Sequence, residues 1–327
     1  MGIHHLNRFL LDNCKKSSIR KTHLRELKHK IIVIDTSIYL YKFISENALI
    51  ENMYLLISIF RHYSIIPIFV FDGKPPIEKK ELLIQRKIQK QVAEQKYMEM
   101  KESISEIEDA GERQQIELEL EQLKKQFINI TSDDIQSVKT LMEYYGVEYL
   151  TANGESDELI AHLLQNNKIW GCLSDDMDMF VYGCQYVLRH ISLQNHTVIV
   201  YDTKCILKDL DMSMKEFREI TVISGTDYNI HHQTSLHETI KWFYQYKKHL
   251  LKNKIKKNSM GASFYDWLLE CTKYIPDYDS LIKQYQMFDV TKMKDLDIVS
   301  NLSLHFSPIQ KNELREFLKP HGFIFVN

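Results

Sequence analysis

Short continuous apolar segments recur along the chain, and three of them end at acidic residues. The segment IIVI at residues 31–34 is followed by Asp35, and the segment IFVF at residues 68–71 is followed by Asp72. The segment WGCL at residues 170–173 leads into a group of aspartates, which are Asp175, Asp176 and Asp178. Continuous apolar runs are typical of strands that are covered on both faces of a parallel sheet. The pattern therefore predicts an α/β fold with a mostly parallel central sheet.

Weaker segments extend this pattern. The segment VEYL at residues 147–150 predicts a fourth strand, and a helix is expected to begin near Glu155. The segments YVL at residues 186–188 and VIV at residues 198–200 predict further strands of the same sheet.

Residues 77–129 consist almost entirely of helix-forming residues, with one interruption, Asp-Ala-Gly, at residues 109–111. This composition predicts two helices joined by a short turn. Apolar residues recur at helical spacing in the first helix and would let the two helices pack together; they are Leu83, Ile84, Ile88 and Val92. A solvated coiled-coil arm is the alternative interpretation of this hairpin.

The overall composition is that of a globular protein. A chain of 327 residues with 44% hydrophobic and 26% charged residues is long enough for a large core with an appended region, or for two domains. The most apolar window, residues 53–71, includes Arg61, His62 and Pro67, so we expect no membrane span. Five cysteines without a Cys-x-x-Cys pair favour an intracellular, reducing location, and we expect no secretory signal.

Acids at the carboxyl ends of parallel strands meet at one edge of the sheet, where open α/β folds bind their ligands. Clustered carboxylates repel one another unless cations neutralise them or some of them stay protonated. Mg²⁺ prefers oxygen ligands, and a pair of such ions suits the displacement of a phosphodiester. The sequence therefore predicts a cleft that holds two Mg²⁺ ions.

Each acid also has a purely structural interpretation. Asp35 could cap the helix that follows it, Asp72 could belong to a turn with Gly73, and Asp175 or Asp176 could cap another helix. Glu155, Asp157 and Glu158 could simply complement the dipole of a helix first turn. The repetition of acids at successive strand ends is what favours the metal-site hypothesis.

Six segments, in this order and at these intervals, carry a family resemblance. They are Met-Gly-Ile at residues 1–3, IDTSIYLYKF at residues 34–43, FVFDGKPP at residues 69–76, GESD at residues 154–157, SDDMD at residues 174–178 and SGTDY at residues 224–228. The chain resembles the flap endonucleases of the structure-specific 5′ nuclease family. The resemblance implies a PIN-like nuclease core over residues 1–205 and a helical arch over residues 77–129. It also implies a helix–three-turn–helix and a helical region, packed on the core, over residues 206–327.

The resemblance implies two metal groups at matching positions. One group comprises Asp35, Asp72, Glu155 and Asp157, and the other comprises Asp176, Asp178 and Asp227. The family more often has glutamate at the position of Asp157, so the shorter aspartate is expected to act through water. Glu158 is a fallback that faces another side of the helix. Asp175 lies outside the matched positions, and we expect it to cap a helix. Mn²⁺ is expected to replace Mg²⁺.

Further positions match residues that handle DNA in the family. Lys79 and Arg86 match the catalytic basic pair of the arch, and their i, i+7 spacing places them on one helix face. Tyr41 matches an aromatic residue that stacks on a base, although an ordinary core tyrosine is an equal interpretation. Gly2 would lie near the site by analogy, whereas a frayed terminus is the competing interpretation.

The chain departs from the family after Tyr228. No glycine occurs between Gly225 and Gly261, although the family has a glycine-containing hairpin that approaches duplex phosphates and helps to hold a monovalent cation. A lysine-rich run with interleaved aromatic residues follows, and it predicts contact with DNA phosphates through Lys241, Lys247, Lys248 and Lys252. A merely solvated lysine-rich segment is the alternative.

These observations together predict a Mg²⁺-dependent 5′ flap endonuclease and 5′–3′ exonuclease. The expected substrate is branched or nicked DNA with a 5′ single-stranded flap, in replication, repair or recombination at a nuclear or cytoplasmic site. We expect a monomer, and we find no sliding-clamp peptide, because Gln310 is followed by Glu313 where an apolar residue is required. A gap or junction endonuclease, or a DNA-binding scaffold that has lost catalysis, is the alternative.

Overall fold

The computed structural model describes residues 3–103, 110–165, 168–228, 234–254, 263–290 and 302–325. Strands in these ranges form one seven-stranded sheet in the order β1-β7-β6-β5-β2-β3-β4. The strands are β1 (Ile19–His23), β2 (Ile31–Asp35), β3 (Ile66–Phe71), β4 (Glu148–Thr151), β5 (Gly171–Leu173), β6 (Tyr186–Ser192) and β7 (Thr197–Asp202). Strands β4, β3, β2, β5 and β6 run parallel, whereas β7 and β1 pair antiparallel. The predicted α/β fold with a mostly parallel sheet is confirmed.

Helices cover both faces of the sheet and project from it. They are α1 (Leu6–Asn13), α2 (Thr36–Ser45), α3 (Leu49–His62), α4 (Lys80–Ser103), α5 (Ala110–Lys124), α6 (Ser132–Tyr145), α7 (Ser156–Leu163), α8 (Asp178–Tyr182), α9 (Thr203–Leu210), α10 (Met214–Ile223), α11 (Leu236–Lys254), α12 (Phe264–Cys271), α13 (Tyr278–Met287) and α14 (Lys311–Leu318). No helix in the described part of the chain is long and apolar enough to cross a membrane.

Two hydrophobic clusters lie on opposite faces of the sheet, because successive residues of a strand point to opposite sides. Val33 and Val70 belong to the cluster that packs against α7, α8 and α10. Ile32, Ile34 and Phe69 belong to the cluster that packs against α2, α3 and α6. The first cluster also contains residues of α11 and α12, so the region after residue 205 packs on the core.

The predicted helical hairpin is present as α4 and α5, and a short 3₁₀ turn at Ile77–Lys79 leads into it. Lys96 of α4 and Glu119 of α5 form an ion pair at 2.7 Å between the two helices. The expected interruption at residues 109–111 is wrong in part, because Ala110 and Gly111 already belong to α5. Asp109 lies outside the described residues.

Strand β1 was not predicted from the sequence. It pairs with β7 at one edge of the sheet, and Arg20 and Lys21 in it are exposed. Because an edge strand has only one paired side and a partly solvated face, its sequence lacks the apolar run that identifies the central strands.

Candidate active site

Three neighbouring strands bring acidic residues to the same edge of the sheet. Strand β2 lies between β3 and β5, and all three are parallel, so their carboxyl ends are adjacent. Asp35 ends β2, Asp72 follows β3, and Asp176 lies three residues beyond the end of β5. The convergence that the strand pattern predicts is therefore present in the fold.

One cavity of about 280 Å³ opens at this edge. Six of the seven predicted acids line it, and they are Asp35, Asp72, Glu155, Asp157, Asp176 and Asp227. The seventh, Asp178, is 3% exposed and donates its backbone N–H to Oδ1 of Asp176 at 3.0 Å. We refer to this cavity as the acid cavity. Glu158 does not line it, because its neighbouring position on α7 points its side chain elsewhere.

Capping accounts for only some of these acids. Asp35 and Glu155 occupy the positions that precede α2 and α7, but neither side chain makes a capping hydrogen bond. Asp72 does accept a hydrogen bond from the first N–H of α7, that of Ser156, at 2.8 Å. The expectation that Asp175 caps a helix is wrong, because its Oδ1 accepts the backbone N–H of His190 in β6 at 2.8 Å.

Two serines hold Asp35, and the sequence pattern assigned neither of them a role. Ser174 Oγ donates to Asp35 Oδ2 at 3.1 Å, and Ser156 Oγ donates to Asp35 Oδ1 at 3.4 Å. Both serines stand inside the segments that carry the family resemblance, beside an acid in each case. Their position in those segments is the sequence feature that identifies them.

Burial and mutual repulsion make these carboxylates hard to ionise together. Burial, followed by the charges of Asp72 and Asp176, raises the pKa of Asp35 to about 7. Burial and neighbouring aspartates also raise the pKa of Asp157 and Asp178 well above the ordinary range, although Asp157 keeps some exposure to solvent. A nearby cation would lower these pKa values by stabilising the charged form.

The donor set fits divalent cations such as Mg²⁺. Six of the residues that line the cavity carry carboxylate oxygens, which are hard ligands, and among the described residues Asp178 Oδ1 is buried without a hydrogen-bond partner. Among the described residues, however, no three acidic, histidine or cysteine side chains are drawn together as a ready-made metal-binding group. Repulsion between the acids, and their pairing with basic side chains, explain this separation.

Two basic side chains from the start of the helical hairpin enter the acid cavity. Lys79 Nζ lies 2.7 Å from Glu155 Oε1, and Arg86 Nη2 lies 2.7 Å from Asp227 Oδ2. Burial by itself would lower the pKa of Lys79, but the attraction of Glu155, Asp157 and Asp178 outweighs it and raises that pKa. Lys79 therefore remains a cation although it is largely buried.

Tyr228 contacts both members of the Lys79–Glu155 ion pair. Its hydroxyl donates to Glu155 Oε2 at 2.6 Å, and Lys79 Nζ lies 4.7 Å from the centre of its ring. Burial, together with Tyr182 and Glu155, raises the pKa of Tyr228, so the hydroxyl stays a donor. The sequence pattern identifies Tyr228 only as the end of a motif.

Tyr41 lies at the rim of the acid cavity and is 45% exposed, which rules out the core-tyrosine interpretation. Lys90 Nζ lies 5.2 Å from the centre of its ring. An exposed aromatic face at the mouth of a cavity is available to stack on a base. Gly2 lies outside the described residues.

Helix α11 separates the lysine-rich run into two faces. Phe243 and Tyr246 are buried in the core, whereas three lysines are exposed at i, i+7 and i+11 spacing on one stripe: Lys241, Lys248 and Lys252. We refer to these three residues as the lysine stripe. Lys247 differs from them, because it lies 3.1 Å from Glu216 and beside the ring of Phe243. The expected family hairpin falls mostly on residues 229–233, outside the described residues.

Comparison with known families agrees with this geometry. The XPG N-terminal domain model matches residues 1–93, and the XPG I-region model matches residues 146–227. Together the two matches cover more than half of the chain and contain all seven acids, Lys79 and Arg86. The chain belongs to the structure-specific 5′ nuclease family.

Individual members of this family are distant in sequence but share the fold. Flap endonuclease 1 of Cryptosporidium muris is 28% identical over 259 residues, which cover 70% of this chain and 52% of that protein. The chain thus spans about half the length of this relative. The catalytic core of Rad2, solved in complex with a DNA substrate, is 24% identical with a TM-score of 0.65, over 98% of this chain and 94% of that one.

A Holliday junction-resolving enzyme shares the same architecture. GEN1, solved in complex with product DNA, Mg²⁺ and Mn²⁺ ions, is 16% identical, with a TM-score of 0.57 over 93% of this chain and 70% of that one. Such low identity establishes the common fold and nothing finer. The choice between flap and junction substrates must come from this chain's own features.

Proposed function

We propose that this protein is a Mg²⁺-dependent nuclease that cleaves branched DNA at the base of a 5′ flap, with 5′–3′ exonuclease activity at nicks and gaps. One observation carries the proposal: the strand-end carboxylates line a single cavity into which the arch inserts Lys79 and Arg86. Hydrolysis of a phosphodiester needs both features, because negative charge accumulates on the phosphate during displacement.

The roles follow the two predicted groups. Asp35, Asp72, Glu155 and Asp157 would hold one divalent ion, and Asp176, Asp178 and Asp227 would hold the other. When bound, the ions offset the carboxylate charge and polarise the scissile phosphodiester. Mn²⁺ would support the same role.

The basic pair has to change partners for catalysis. In the DNA-free protein Lys79 and Arg86 contact Glu155 and Asp227, two of the proposed metal ligands. A bound DNA strand would compete with Glu155 and Asp227 for these two side chains, which would then hold the scissile phosphate and offset its developing charge. Tyr228 would keep Glu155 in place during this exchange, and Tyr41 would stack on the neighbouring base.

The arch favours flap DNA over a closed junction. The long hairpin of α4 and α5 begins at the acid cavity, which is entered by Lys79 just before α4 and by Arg86 within it. A free 5′ end can thread beneath such an arch, whereas a four-way junction offers no free end. We further propose that the protein acts as a monomer in DNA replication, repair or recombination.

A labelled 5′ flap substrate, incubated with and without Mg²⁺, tests the proposal. We expect cleavage near the branch that requires Mg²⁺ or Mn²⁺, and we expect a bulky adduct on the 5′ end to suppress it. Equal cleavage of free and blocked ends, with preference for a four-way junction, would support a junction endonuclease instead. Tight flap binding without cleavage under any metal would indicate a scaffold.

A further inference from the structure

A second cavity, of about 640 Å³, adjoins the acid cavity along a neighbouring face of α4. Arg86 and Asp227 line both cavities and form the partition between them. Leu82, Gln85 and Gln89 of α4 face the second cavity. Residues before and within α1 close its other side, and we refer to it as the α1 cavity.

The α1 cavity is lined by three arginines and one aspartate. Arg86 already contacts that aspartate, Asp227, so Arg8 and Arg189 supply the remaining positive charge. Arg8 is 85% exposed, and among the described residues its ion pair is a 3.6 Å contact with Asp12, four residues along α1. Exposed i, i+4 pairs of this kind hold a side chain weakly.

Arg189 is fixed in the wall of this cavity, with its side chain only 7% exposed. One terminal nitrogen donates to Asn7 Oδ1 at 2.7 Å and the other donates to the carbonyl of Asp175 at 2.8 Å. In the described part of the chain its Nε has no hydrogen-bond partner, and it lies 4.0 Å from Asp175 Oδ1. The guanidinium thus lies beside two neutral acceptors and the Asp175 carboxylate, and each of its terminal nitrogens keeps a second N–H with which to bind an anion.

The α1 cavity continues toward α11. A third cavity, of about 410 Å³, shares His5 and Arg8 with it and is also lined by Tyr244 of α11. Tyr244 is 50% exposed and lies on the helix that carries the lysine stripe. The three cavities therefore form a continuous path from the proposed metal ligands to α11.

We propose that the α1 cavity binds the backbone phosphate of the cleaved strand that lies between the acid cavity and the duplex at α11. A strand with its scissile phosphate among the acids must continue on both sides of it, and Tyr41 occupies the other side. Arg8 and Arg189 contact this phosphate, and His5 lies where the path turns toward α11. This inference rests on the proposed function, since it presumes a DNA strand in the acid cavity.

Binding of flap DNA in EDTA tests the assignment without cleavage. A single uncharged methylphosphonate is placed at the linkages just on the duplex side of the cleavage point, or at the matching linkages in the flap. In the wild type we expect the duplex-side substitution to weaken binding about threefold per lost contact. In the Arg8→Ala, Arg189→Lys double variant the duplex-side methylphosphonate should not weaken DNA binding further. Lys16→Ala, an exposed change beyond α1, is the matched control and should behave like the wild type.

Arg8→Ala alone covers the risk that the change at Arg189 perturbs folding, because Arg8 is exposed and alanine suits a helix. An equal loss in wild type and Arg8→Ala on the duplex-side probe would overturn the assignment. Inorganic phosphate could instead raise the melting temperature of the wild type but not of Arg8→Ala, while the methylphosphonate has no effect on binding. That result would also overturn the assignment, because the cavity would then bind a free anion rather than DNA. A methylphosphonate effect in a protein that fails to cut flaps would support the cavity and defeat the proposed function.

Discussion

The acid cavity and the lysine stripe of α11 carry the two main concentrations of charge proposed to handle DNA, and they are built in opposite ways. In the acid cavity Lys79 is largely buried and pairs with Glu155 at 2.7 Å. The lysines of the stripe are exposed, and their helix is anchored through the buried Phe243 and Tyr246 on its other face. One region fixes each charge in place, and the other leaves its charges free in solvent.

This difference separates chemistry from affinity. Buried charges interact strongly over short distances and respond little to salt. Because the interaction depends on distance, a small displacement of a charged side chain changes the rate of reaction. Exposed lysines attract a polyanion through counterion release, which is sensitive to salt and tolerant of position. Changes in the acid cavity should therefore act on the cleavage rate, and changes in the stripe should act on binding.

The largest effect should come from a proposed metal ligand. Asp178→Asn removes a buried charge and keeps the side-chain shape, and it should slow single-turnover flap cleavage by roughly a thousandfold or more. DNA affinity in EDTA should stay equal or increase, since the exchange adds no negative charge and keeps the shape of the side chain. Asp133→Asn, on the exposed surface of α6, is the control. Unchanged cleavage by Asp178→Asn would break the distinction between the two regions.

Lys79→Ala should have the next largest effect. Loss of a fixed cation beside the reacting phosphate should lower the single-turnover rate by about a hundredfold, with affinity changed only slightly. Lys80→Ala, at the adjacent exposed position, is the matched control, and Lys79→Arg should recover part of the rate. If only DNA affinity fell, Lys79 would act on binding, as the lysine stripe is proposed to do, and not on the cleavage rate.

Replacing Lys241, Lys248 and Lys252 together with alanine should weaken flap binding about 30-fold and leave the single-turnover rate at saturating enzyme unchanged. The slope of log affinity against log salt should fall by about 2 to 3 if each lysine neutralises one duplex phosphate. Lys247→Ala is the internal control. Because Lys247 contacts Glu216, its loss should change stability by less than about 1 kcal/mol and leave the salt slope intact.

Glu219 offers a buried carboxylate outside the acid cavity, and Glu219→Gln should have the smallest effect. Burial raises the pKa of Glu219 to about 7 despite Lys215 at 3.8 Å. The protonated form thus favours the folded state below the unfolded pKa near 4.5, and this stability is lost as pH rises to about 7. Glutamine does not titrate, so the variant should gain on the order of 1 kcal/mol relative to the wild type at about pH 8, but not near pH 4.5. Thermal melts at both pH values measure this, and a gain independent of pH would contradict it.

The sequence was most informative where neighbouring residues alone determine the local structure. Strands buried on both faces show continuous apolar runs, so β2, β3 and β5 and the acids at their ends could be predicted from the order of residues alone. Parallel neighbours then bring Asp35, Asp72 and Asp176 to one edge without further information. Strand β1 was not predicted, because Arg20 and Lys21 at the sheet edge interrupt its apolar pattern.

Contacts between distant segments could not be predicted in the same way. Nothing in the local pattern shows that Tyr228 donates to Glu155, or that Ser174 supports Asp35, because each pair is joined only by the packing of separate elements. The lysine-rich run could be predicted as a whole, but the distinction between Lys247 and Lys248 required the position of Glu216. The α1 cavity likewise depends on the fold bringing residues of α1 and α4 to the lining of one cavity.

Mn²⁺ binding to the DNA-free protein, followed by the loss of the free-ion signal in electron paramagnetic resonance, tests most directly whether the strand-end carboxylates form one site for divalent cations. The wild type should remove Mn²⁺ from solution. The Asp35→Asn, Asp178→Asn double variant should leave the ion free while melting at an equal or higher temperature, because two buried and mutually repelling carboxylates are lost. Equal Mn²⁺ binding by both proteins would contradict the existence of this site.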